Sequence, residues 1–106
     1  MKIILVAILL IIGIAFAVRD YQDGHLCDAI FAAEGGLKAK YLYGITSVPY
    51  SNIKDARQIC MNTIRNQRTR HRKHKCGLTY IECLAKRYCP YDSETWLKNV
   101  RYFYEN

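Results

Sequence analysis

Acidic residues are scarce in this chain and never cluster: nine Asp and Glu stand against sixteen Lys and Arg, for a formal charge of +7. Asp20, Asp23, Asp28, Glu34, Asp55, Glu82, Asp92, Glu94 and Glu105 are scattered singly. That removes the paired carboxylates, or nucleophile and base, on which hydrolytic catalysis depends. His25 and Asp28 lie one helical turn apart and can pair, but a local contact of that kind reads as a cap or surface interaction, so no enzyme is expected. Adjacent cysteines and C-x-x-C pairs are also missing, which excludes the usual zinc knuckles and thioredoxin-like sites. His71-x-x-His74-x-Cys76 has ligand-type residues, yet the flanking cations oppose a divalent ion, and neither a metal nor a cofactor is expected. No strand-like alternation, internal repeat or nucleic-acid recognition motif is present, and nucleic acid is not expected as a partner.

What the chain does have begins at its N-terminus. Lys2 supplies one early positive charge, residues 3–18 are uncharged and largely apolar, and small residues stand at Ala15 and Ala17. This is the pattern of a secretory signal peptide over residues 1–17, cut before Val18. The run falls short of the ~20 residues of a bilayer-spanning helix, and no basic stop-transfer cluster follows it directly. A single secreted, extracellular domain over residues 18–106 is the expectation. A core this small is marginal without staples. Cys27, Cys60, Cys76, Cys83 and Cys89 all fall in that domain, and an oxidising compartment favours disulfides among them. Five is odd, so one thiol stays free or joins a second chain as a disulfide-linked homodimer, and the spacing does not choose the pairing.

Four helical segments follow from the periodicity. Residues 20–33 carry Leu26, Ile30 and Ala33 on one face, with Cys27 and Phe31 beside them, and stop at Gly35-Gly36. Residues 37–50 read mostly as loop, with a hairpin over 41–48 as the alternative. A second helix is capped by Asn52 and carries Ile53, Ala56, Ile59, Cys60 and Ile64. Thr79-Tyr80-Ile81-Glu82 is a capping box opening the third, which Cys89-Pro90 closes. The fourth spans residues 93–104 with Trp96, Leu97, Val100, Phe103 and Tyr104 as its stripe, and Trp96, Phe103 and Tyr88 are expected in the core. The fold class is therefore all-α, a small disulfide-stabilised bundle of three to four helices.

Residues 65–75 hold six fixed positive charges and two histidines without one acid. Such a block repels itself, which predicts the end of helix two running into a long exposed basic loop. Arg65, Arg68, Arg70, Arg72, Lys73 and Lys75 are the candidate contact surface for an acidic patch on a receptor or channel, or for anionic glycans or lipid head groups. A dibasic processing cut at Arg72-Lys73 is a further use, and a plain solvated basic loop is the unspecialised one. Tyr91 and Tyr102 fall off the apolar stripe near Lys98 and Arg101, where an exposed aromatic can anchor a protein contact.

The signal ending Ala15-Phe16-Ala17, the basic mature chain and the block from Cys76 through Cys83 to Cys89 together resemble the small secreted polypeptides of arthropod venoms, in particular the centipede scoloptoxins. That resemblance implies a venom toxin acting on an ion channel or other membrane protein of the target animal, with basic and aromatic residues at the contact. A secreted defence (antimicrobial) or signalling protein that binds anionic surfaces would share the charge and the bridges. A small hydrophobic-ligand carrier ranks after both, because the three-residue gap between central cysteines common in helical odorant-binding proteins is absent.

Overall fold

The computed structural model describes residues 2–73 and 79–106. Four helices, α1 (Lys2–Ala33), α2 (Ile53–Lys73), α3 (Tyr80–Tyr88) and α4 (Ser93–Glu105), make up the described residues together with two short 3-10 turns, Gly36–Lys38 and Leu42–Gly44. Among the described residues there is no strand, so the hairpin alternative for 41–48 is set aside in favour of all-α. Tight turns satisfy that segment locally, with Gly44 N–H donating to Tyr41 C=O at 3.0 Å and Ile45 N–H to Leu42 C=O at 3.1 Å.

Helix α1 divides into two physically different halves. Residues 2–22 are exposed throughout, whereas Asp23, Gly24, Leu26, Cys27, Ala29 and Ile30 are buried. The helix begins well before the expected residue 20, because nothing between Lys2 and Val18 breaks it and aliphatic residues propagate a helix readily. It stops where Gly35 and Gly36 turn to φ of +107° and +61°. By length and composition it could cross a membrane, a test that a signal sequence also passes.

The core is a contiguous set in which Leu26 and Ile30 of α1 meet Ala56, Cys60 and Ile64 of α2, Leu84 and Ala85 of α3, and Trp96 and Val100 of α4. Caps start the later helices as their sequences require. Asp55 N–H donates to Asn52 Oδ1 at 2.8 Å, and Ser51 N–H to Asp55 Oδ2 at 3.3 Å. Glu82 N–H donates to Thr79 Oγ1 at 3.4 Å, while the Thr79 hydroxyl donates to Glu82 Oε1 at 3.1 Å, a side-chain variation on the expected box. Helix α4 packs most extensively on α1. There the indole N–H of Trp96 donates to Glu34 Oε1 at 2.8 Å, and His25 Nε2 lies 2.7 Å from the Tyr104 carbonyl.

Three expectations change. Phe103 is 41% exposed: it continues the face of Trp96 and Val100 but lies in the last turn of α4, where it sits edge-on to Tyr102. His25 does not pair with Asp28, whose carboxylate takes the Arg57 guanidinium instead. Residues 65–73 are helix, not loop. Self-repulsion there is relieved by acids that α1 supplies from across the helix seam. Lys75 and Cys76, with the rest of 74–78, lie outside the described residues.

Candidate functional site

The basic end of α2 is built from two groups of cations with different duties. Arg65 and Arg68 face α1. Arg65 Nη2 donates to Asp20 Oδ1 at 2.9 Å between two half-exposed side chains, an arrangement that contributes at most ~1 kcal/mol. Arg68 is more deeply placed: its Nε and Nη2 donate to Asp23 Oδ1 at 3.0 and 2.7 Å, and Asp23 is only 2% exposed. The guanidinium also lies 4.4 Å from the Tyr80 ring centroid and donates to the Tyr80 hydroxyl at 3.1 Å. Burial pushes the Tyr80 phenol up, with Arg68 pulling the other way. Arg68 is thus a fold residue that joins α1, α2 and α3.

Arg70 and Lys73 lie off this seam, and Arg72, one turn beyond Arg68, stands at its open edge. All three are exposed on the last turn of α2 and make no ion pair among the described residues. Cations at a helix C-terminus are favoured by the exposed carbonyls there, which gives this turn a local reason to stay helical. Arg72 also borders a cavity of about 350 Å³ lined by Arg19, Arg65, Arg68, His71, Thr69, Tyr80 and Phe16. Its walls are cationic on the α2 side, and Phe16 and Tyr80 supply the apolar part.

The remaining candidates are dispersed. Tyr91 is 95% and Tyr102 62% exposed, the former in the α3–α4 turn and the latter on the outer side of α4. The structure does not bring either into contact with the α2 cations. Cys27 and Cys60 are buried free thiols, Cys89 is a half-buried one at the end of α3, and Cys83 is buried within α3. Among the described residues no three His, Cys, Asp or Glu side chains form a group that could hold a metal. Sequence reading missed Asp20 and Asp23 as partners of the basic block. Their three-residue spacing, matched by that of Arg65 and Arg68, is the signal that two facing helices would share.

Together these features define a small basic helical protein that displays charge on a braced helix end. No family model, curated protein or solved structure matches this chain.

Proposed function

We propose that this is a secreted, non-catalytic basic polypeptide of the toxin type, released by cleavage before Val18, which docks through the last turn of α2 on an acidic extracellular face of a membrane receptor or ion channel. The observation that carries this reading is the division of labour on α2. Arg65 and Arg68 bind the helix to α1, while Arg70, Arg72 and Lys73 remain exposed and make no ion pair among the described residues. Charges held on a braced helix lose less freedom on binding than charges on a loose loop. Tyr91 and Tyr102 add exposed aromatic area elsewhere on the molecule. Export is supported by the exposure of residues 2–22, none of which contributes to the core, so loss of the first seventeen removes no core residue.

A second reading, a defence protein that binds anionic glycans or lipid head groups, is favoured by one observation: Arg19, Arg65, Arg68, His71 and Arg72 line one cavity, and all five stay on the chain after a cut that takes away Phe16. One experiment separates the two. Replacing Arg70, Arg72 and Lys73 with Gln is expected to weaken binding to the membrane target at least tenfold while helicity by circular dichroism stays unchanged, about 1.4 kcal/mol per tenfold. Unaltered activity in that triple variant removes this turn from the mechanism. Tight binding to heparin or to phosphatidylserine vesicles, with no effect on membrane currents in excitable cells, favours the second reading.

A further inference from the structure

Ion pairs and hydrogen bonds fix how α1 and α2 face each other. Asp28 meets Arg57, Gly24 C=O accepts from Arg57 Nη2 at 3.5 Å, Asp23 meets Arg68 at 2.7 Å, and Asp20 meets Arg65 at 2.9 Å. Asp28, toward the end of α1, meets the start of α2 at Arg57, while Asp20 and Asp23, a few turns earlier on α1, meet Arg65 and Arg68 toward the end of α2, so the helices run antiparallel. In this register Cys27 stands level with Cys60. Both are fully buried in the same core cluster, and each thiol is near enough to shift the ionisation of the other.

We propose that Cys27 and Cys60 are joined by a disulfide that cross-links α1 to α2 in the exported protein. The proposal rests on the export reading for its oxidant, a donor disulfide of the secretory compartment. One cysteine thiolate attacks a donor sulfur, forming a mixed disulfide and expelling one donor thiolate. The other cysteine, deprotonated, attacks the protein sulfur of that mixed disulfide and expels the second. The two protein thiols lose two electrons and two protons, and the donor becomes two thiols.

The local chemistry suits this exchange. The neighbouring Cys60 thiol, with burial adding to its effect, pushes Cys27 well above the ordinary thiol range, and Cys27 in turn draws Cys60 down against burial. The exchange takes place while the helices are still closing, before burial takes both sulfurs out of reach of the donor. Tyr88 adds a hydroxyl donor 3.7 Å from Cys60 Sγ, a contact that a disulfide sulfur can also accept. Once the core is complete neither sulfur meets solvent, so the bond, once made, is shielded from reductants.

The test is a non-reducing peptide map of the full chain, refolded from the reduced, denatured state in a glutathione redox buffer and quenched with iodoacetamide. Trypsin should release residues 20–38 and 58–65, each with one cysteine, as a single linked species lighter by two hydrogens than the sum. The oxidised chain should melt higher than the same chain after reduction by about 10 °C or more. The C27A/C60A double variant should lose most of that difference, keeping only what reduction of the remaining cysteines contributes. Recovery of both peptides separately alkylated, or of either linked to another cysteine, overturns the pairing. Export is read independently, by whether medium from secreting cells contains a chain that starts at Val18, so failure of one claim does not pass for failure of the other.

Discussion

Arg68 shows how a residue counted by its charge can be spoken for by the fold. Its carboxylate partner, Asp23, is 2% exposed, and a buried acid deprived of its cation carries an uncompensated charge. Arg68→Ala should therefore destabilise the protein by ~3 kcal/mol, as measured by urea denaturation, even though the side chain belongs to a block that looks like pure surface. Arg70→Ala, two positions on and exposed with no ion pair among the described residues, should change stability by less than about 0.5 kcal/mol. If Arg68→Ala unfolds no more easily than Arg70→Ala, the braced-helix account of this site fails. Neutralising the whole basic block at once would mix loss of binding with loss of fold, which is why the functional variant spares Arg68.

Among the elements, the connection between α1 and α2 depends most on backbone geometry. Gly44 has φ of +69°, and a Cβ there would stand 2.7 Å from Glu34 Cδ, the carboxyl group that accepts the Trp96 indole N–H. Gly44→Ala should cost at least ~1 kcal/mol from φ alone, and more from displacement of that carboxylate, visible as a lower Tm and altered Trp96 fluorescence. The preceding residue, Tyr43, holds φ of +56° while buried at 3% exposure, and its ring lies 5.0 Å from that of Phe31. Tertiary packing there overrides a backbone preference. This is why residues 37–50 were hardest to read: their conformation is set by Phe31, Glu34 and Arg57, none of which is in the segment. The starts of α2 and α3, by contrast, were legible because caps are local, as Asn52 and Thr79 show. The apolar faces of α2, α3 and α4 were legible for the same reason of short-range periodicity, Ile53 and Phe103 excepted. The cation surface was legible as composition but not as geometry, since sequence places Asp20 and Asp23 forty-five residues from their partners Arg65 and Arg68. If the Cys27–Cys60 bond forms, closing that loop contributes ~3–4 kcal/mol, comparable with the whole net stability of a small domain.

For the whole molecule, three buried or half-buried phenols set the alkaline limit. Tyr43, Tyr80 and Tyr88 are each raised above the ordinary value of 10.0, in every case chiefly by burial. Below that value both folded and unfolded chains keep these phenols neutral, and the fold has its full stability. As pH rises through 10 the unfolded chain ionises while the folded one resists, so the unfolded state binds fewer protons and stability falls. Thermal melts should show a Tm that holds near neutral pH and drops steeply above about pH 10, with a smaller drop in Tyr88→Phe. A flat profile across that range would mean that these phenols are solvated.

The long first helix carries one more implication, about its polarity. As it stands, α1 has no acid in its first turn, so nothing there balances the positive end of its dipole. Separation before Val18 would move the helix start to a place where Asp20 lies in the opening turn and Asp23 close behind it. Each would then act on the new terminus as well as on its arginine. The severed helix would gain the acidic beginning that the uncut one lacks, and the loss of residues 1–17 would leave behind a better-terminated element than the one they were part of.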